Sequence, residues 1–124
     1  MKYDKRLRDI VFNKYNGHCA YCGVKLKPYF HIDHINPIYR GWSNNELEKY
    51  KIDRGKDNLE NYNPCCPSCN SSKSTLSIEK WRVEIDKKYD RLLRDQSSFA
   101  LLTRLGIIKK VSNCTFYFEK NGRE

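Results

Sequence analysis

Cys19-Ala-Tyr-Cys22 and Cys66-Pro-Ser-Cys69 are two C-x-x-C pairs, and Asp33-His34, Asn61 and Asn70 stand between and beside them. One C-x-x-C turn lets two thiolates reach the same ion, and two turns supply the four tetrahedral donors that Zn²⁺ prefers. Cys19, Cys22, Cys66 and Cys69 are therefore expected to hold a structural zinc. The 43 residues between Cys22 and Cys66 far exceed a simple zinc-ribbon spacing. Something must fold between the pairs, and Asp33-His34 lies inside that insert. Cys65 competes with Cys66 by position, but only Cys66 has the x-x spacing to Cys69. Cys114 reads as a packed thiol in a strand. The alternative for the cysteines is a pair of disulfides or inert buried thiols.

Asp33, His34 and Asn70 suit a different chemistry. A neutral imidazole can take a proton from water near physiological pH. A carboxylate and an amide carbonyl are hard oxygen ligands, suited to a Mg²⁺ that keeps several waters and accepts phosphate oxygens. Phosphodiester hydrolysis needs an activated water, relief of phosphate charge and help for the leaving oxygen. Taken one at a time, Asp33-His34 is an ordinary surface pair and Asn70 a helix cap. Their order around the cysteine pairs turns them into one candidate site.

The 124 residues carry a formal charge of +9, with 31% charged side chains. That excess favours a polyanionic partner, nucleic acid first among them. Nothing resembles a membrane span, and the charged start Met1-Lys2-Tyr3-Asp4-Lys5-Arg6 lacks the apolar stretch of a secretory signal. The expectation is a single cytoplasmic domain in a reducing compartment, where cysteines serve metals more often than disulfides.

These residues need elements to position them. Leu7, Ile10, Val11 and Tyr15 predict a helix over residues 4–16, ended by Gly17. Residues 30–35 alternate aromatic, branched and polar side chains as a strand does. A capping box, Ser43 to Glu46, starts a short helix in the charge-rich connection 38–57. A return strand is expected within residues 58–64 and a helix from Asn70. Ser77 caps a helix to about Asp95, with Ile78, Trp81, Ile85, Leu92 and Leu93 on one face. A shorter helix carries Phe99, Leu102 and Leu105 and stops at Gly106. Ile107-Ile108 and residues 114–118 are expected to pair as a hairpin across Ser112-Asn113. The fold class is α+β.

Three stretches carry a family likeness: Gly17-His18-Cys19-Ala20-Tyr21-Cys22-Gly23, Ile32-Asp33-His34-Ile35-Asn36-Pro37, and residues 57–73, from Asp57-Asn58-Leu59 through Cys66-Pro67-Ser68-Cys69-Asn70 to Lys73. In them the chain resembles the HNH endonuclease family, in its four-cysteine, zinc-stabilised ββα-metal form, over about residues 5–75. The resemblance implies a nuclease core in residues 1–75, with residues 76–124 packed on it as C-terminal helices and a hairpin. It implies a DNA substrate, one catalytic Mg²⁺ or Mn²⁺ beside the structural Zn²⁺, and 5′-phosphate products. His34 would be the general base, Asp33 and Asn70 the catalytic metal ligands, and Asn61 the brace that orients the histidine, with Asn58 as its substitute. Lys73 would contact a phosphate, the alternative being a solvated lysine, and Arg40, in the charged connection, is a candidate DNA contact by its charge, the alternative there being a solvated loop. His31, which shares a strand face with Asp33, would touch a phosphate or the catalytic metal's water shell. Trp42, Lys49, Lys51, Arg54 and Lys56 are further candidates in the same connection.

The chain also departs from the family. Many members turn on paired glycines after the Asp-His strand, where this chain runs Tyr39-Arg40-Gly41-Trp42. Cutting both strands would call for a homodimer, and fold analogy suggests a phage or mobile-element setting. The alternative function is a noncatalytic zinc module that binds nucleic acid, which needs the cysteines and the charge but not Asp33, His34 and Asn70 together.

Overall fold

Helix α1, Lys5–Phe12, begins where Asp4 Oδ1 accepts the Leu7 N–H at 2.9 Å, and it buries Val11. The computed structural model, which describes residues 3–111 and 113–121, ends the expected 4–16 helix early. A 3-10 turn takes over at Asn13–Tyr15, and Asn16 and Gly17 then reverse the chain with positive φ. The first cysteine pair follows in a turn closed by Gly23. Its φ is +81°, and an added Cβ would stand 2.7 Å from the Tyr117 ring, so both backbone and packing demand glycine.

Strands β1, His31–His34, and β2, Tyr62–Cys65, form a two-stranded antiparallel ribbon that sets His31 opposite Cys65 and Asp33 opposite Asn63. Pro64 is tolerated within β2 because a two-stranded ribbon is all edge. Between the strands lies helix α2, Asn44–Lys49, with the expected Ser43–Glu46 capping box and Leu47 buried beneath it. β2 leads through Cys66 into helix α3, Pro67–Lys73, whose first-turn proline gives up an N–H that would have no partner within the helix. This strand–strand–helix unit is the α+β core expected from sequence.

Helices α4, Ile78–Asp95, and α5, Ser97–Arg104, follow, and a short α6, Tyr117–Asn121, ends the described chain. The core they cover is aromatic. Tyr21 meets the rings of Trp81, Phe116 and Phe118 edge-on, and Trp81 stacks on Phe116 with centroids 4.7 Å apart. Aromatic rings bury large areas each, which offsets the scarcity of aliphatic residues. Trp81 and Phe116 thus fill the same core as Val11, Ala20 and Tyr62.

Two expectations need correction. The C-terminal hairpin is absent from the described residues. Ser112, at its expected turn, lies outside them, Ile107 is exposed and not in a strand, and residues 117–121 are helical. The cause is tertiary. The Tyr117 and Phe118 N–H groups donate to the Tyr21 and Ala20 carbonyls at 3.1 and 2.6 Å. Arg82 holds the Cys114 carbonyl and the Glu119 carboxylate. Donors that a hairpin would use are spent on the first cysteine turn. Leu92 and Leu93, placed by periodicity on the core face of α4, are instead exposed. The second half of that helix runs past the core and packs on α5, where Tyr89 meets Phe99 edge-on. Among the described residues, no helix is long and apolar enough to cross a membrane.

Candidate active site

The four ligand cysteines come together as the spacing required. Their sulfur atoms all lie within 4.8 Å of one another. A Zn–S bond of about 2.3 Å sets the edge of a tetrahedral site at about 3.8 Å, and Cys22 Sγ stands 3.8 Å from Cys66 Sγ. The N–H groups of Tyr21 and Cys66 both donate to Cys19 Sγ at 3.4 Å, and that of Cys69 donates to Cys66 Sγ at 3.4 Å. Amides aimed at sulfur favour the thiolate, the form that binds metal. The Cys19 thiol is accordingly held down to about 4, first by the hydrogen bond from Cys69 and then by backbone N–H groups, while the Cys69 thiol is pushed up across the same bond. The donor set fits zinc. Cys65 stays outside the quartet, as its spacing predicts: it is fully buried, and burial pushes its thiol up.

Asp33 and His34, at the end of β1, line one cleft of about 390 Å³ together with Pro37, Ile38, Tyr39, Arg40 and Trp42. Asp33 is 7% exposed. Its Oδ2 accepts the Tyr21 O–H at 2.5 Å and pairs with Lys73 Nζ at 3.0 Å. Both bonds fall on Oδ2, leaving Oδ1 as the carboxylate atom open to a cation. Desolvation raises this carboxyl above the ordinary range, outweighing the opposing pull of Lys73 and Tyr21. Asn70 sits half-buried on α3, where its Oδ1 lies 3.9 Å from the Cys65 thiol. A carboxylate oxygen and an amide oxygen are the donors a hard divalent cation takes.

His34 extends the other way. Its Nε2 is 2.9 Å from Asp57 Oδ1, and the Tyr62 O–H donates to that same oxygen at 2.6 Å. The two hydrogen bonds, that with His34 first, hold the Asp57 carboxyl below its usual value, and the bond to Asp57 pushes the Tyr62 phenol up to about 12.

Asn61 ties the loop behind the histidine. Its Nδ2 donates to the carbonyls of Asn36 and Lys56 at 2.9 and 2.7 Å, and its Oδ1 accepts the Asn36 N–H at 2.9 Å. A buried amide thus uses three bonds to join the two ends of the long connection. Asn58 caps the turn that leads to it, accepting the Asn61 N–H. Gly55 passes so close that an added Cβ would sit 2.0 Å from the Asn36 carbonyl oxygen. Gly55→Ala must push this brace apart. It is expected to destabilise the protein by about 1–3 kcal/mol, the usual cost of overpacking, read as a lowered midpoint in chemical denaturation. An unchanged midpoint would mean that the connection is not held as described.

The expected nucleic-acid residues fare unequally. Arg40 is exposed at the cleft. His31 is exposed at the start of β1 and does not line the cleft. Lys73 was expected at a phosphate, yet it is fully buried, with its ammonium on Asp33 and on the His34 carbonyl at 2.9 Å. A lysine in the last turn of α3, directly beneath β1, finds a buried carboxylate before it finds solvent. Arg54, although exposed, folds back on its own loop: it donates to the carbonyls of Ile38, Tyr39 and Trp42, shaping the loop that carries Arg40. Asp57, Tyr62 and Tyr21 escaped the sequence reading. The one local signal was that Asp57 and Tyr62 flank Asn61 within a matched stretch.

The HNH endonuclease family matches residues 19–76. The ordered site residues and the four-thiol cluster lie within this matched stretch. Over 84 residues, 64% of this chain, it is 32% identical to the protein named "SPbeta prophage-derived putative HNH endonuclease YoqL" of Bacillus subtilis (strain 168), of which the alignment covers 34%. The chain thus spans about a third of that relative's length. No solved structure matches.

Proposed function

We propose that the chain is a divalent-metal-dependent endonuclease that hydrolyses DNA phosphodiester bonds. The observation that carries this reading is Asp33 and His34 side by side in one cleft, the carboxylate with one oxygen already engaged and the imidazole backed by Asp57. His34 takes a proton from the attacking water, the water oxygen bonds to phosphorus, and the bond to the 3′ oxygen breaks. A solvent proton completes the 3′-hydroxyl, and the 5′ side keeps the phosphate. Asp33 and Asn70 are the residues that would hold the catalytic ion, which when bound stabilises charge on the phosphate and the leaving oxygen. Arg40, with the chain's charge of +9, favours the approach of the DNA backbone.

The prophage origin in the relative's name supports a phage or mobile-element setting for this chain as well. Two copies would be needed to cut both strands. The test is supercoiled plasmid with Mg²⁺ or Mn²⁺, wild type beside His34→Ala. Nicked or linear product from wild type is expected, with a loss on the order of 10²–10⁴-fold in the variant. Equal cutting by both would exclude His34 as the base. DNA binding without cutting by either would favour the noncatalytic zinc module.

A further inference from the structure

We propose that Asp57 is the positioning residue of the catalytic base: it fixes His34 in the Nε2–H tautomer and so presents an unprotonated Nδ1 to the attacking water. This rests on His34 acting as the base and adds the group that makes it competent. A neutral imidazole carries one N–H, on either nitrogen, and what the other nitrogen meets decides which. Here Nε2 lies 2.9 Å from a carboxylate oxygen, which can only accept. The proton therefore sits on Nε2, and the lone pair that can receive another is on Nδ1.

Three features hold the arrangement. Tyr62, 6% exposed, donates its O–H to the same Asp57 oxygen at 2.6 Å and sets its ring edge-on to the imidazole, centroids 5.3 Å apart. The residue before Asp57 is pinned, because Asn61 Nδ2 holds the Lys56 carbonyl at 2.7 Å. The same Asn61 holds Asn36, two residues past His34. Base and carboxylate are thus fastened from one side chain, although 23 positions separate them in sequence. Asp57 itself is 59% exposed on its side chain, and so open an ion pair adds little to stability. Its effect is on orientation. When the water proton arrives at Nδ1, the imidazolium keeps its Nε2–H on Asp57, whose negative charge stabilises it until the proton returns to solvent.

The experiment is long-range ¹H–¹⁵N correlation of the imidazoles in the zinc-loaded protein, at a pH where His34 is neutral, with single-turnover kinetics beside it. Wild type is expected to show the Nε2–H pattern for His34, and Asp57→Ala a mixture of tautomers. With melting temperature, zinc content and KM unchanged, kcat of Asp57→Ala should fall on the order of 10–100-fold, as when a metal-bound imidazole loses the carboxylate that orients it. Asp57→Glu should restore part of it. A wild-type Nδ1–H tautomer, or an Asp57→Ala variant with unaltered tautomer and kcat, overturns the proposal. If instead the tautomer shifts as expected but His34→Ala cuts like wild type, it is the base assignment that fails, and the role of Asp57 in catalysis falls with it.

Discussion

Stripping zinc from this protein with a strong chelator is expected to abolish its cooperative melt. The four sulfurs come from two turns separated by the whole ββ unit, and the tetrahedral edge already present between Cys22 and Cys66 would be left with only weak thiol contacts. Structural zinc contributes on the order of 10–16 kcal/mol in small domains near neutral pH, whereas a whole domain is stable by only about 5–15 kcal/mol. The effect should spread beyond the thiols. Tyr21 stands inside the first C-x-x-C pair yet packs on Trp81, Phe116 and Phe118, and α6 hangs from the Ala20 and Tyr21 carbonyls. Loss of the near-ultraviolet signal of Tyr21 and Trp81, restored when Zn²⁺ is added back, would mark the transition. Cys69→Ser should reproduce it without chelator. A chelated protein that keeps a sharp melt would show that aromatic packing suffices and that the cluster is not the keystone.

The second large effect concerns Asp33. Asp33→Asn is expected to lose cleavage and also about 3–5 kcal/mol of stability, because it leaves the fully buried Lys73 ammonium without its counter-charge. The two losses have different origins and can be separated. Adding Lys73→Met to Asp33→Asn removes the stranded charge while keeping much of the volume, so the double variant should regain most of the denaturation midpoint and none of the cleavage. The raised Asp33 carboxyl points the same way, since desolvation there outweighs its partners. A buried pair of this kind adds little net stability, yet breaking one half of it is costly. Additive losses in the double variant, with no recovery, would mean that Lys73 does not depend on Asp33.

The pairing also limits which cations at the cleft would be free to meet DNA under the proposed function. Lys73 and Arg54 look, by charge and position in the chain, like contacts for phosphate; Lys73 is buried on internal acceptors, while Arg54, though exposed, is tied to carbonyls of its own loop. Arg40 remains at the cleft. Basic charge on this chain therefore does two jobs, and only the exposed part of it is available to a polyanion.

What could be read in the sequence alone was the chemistry carried by short spacings. Two C-x-x-C turns define a tetrahedral donor set, Ser43 and Glu46 define a capping box, Ser77 caps α4, and Asp33-His34 sits on a strand, because each of these depends on geometry within a few residues. Asn61 was legible too, through the family resemblance that its place before Cys66 carries. Tertiary structure decided which partners these groups found. It placed Lys73 under Asp33 across 40 positions and Asp57 behind His34 across 23, folded Arg54 back on its own loop, and turned an expected strand at residues 117–118 into the start of a helix. In each case the partner is one that the sequence places far away or on a neighbouring loop, and only packing brings it within hydrogen-bonding reach, shutting out water for Lys73 and Asp33.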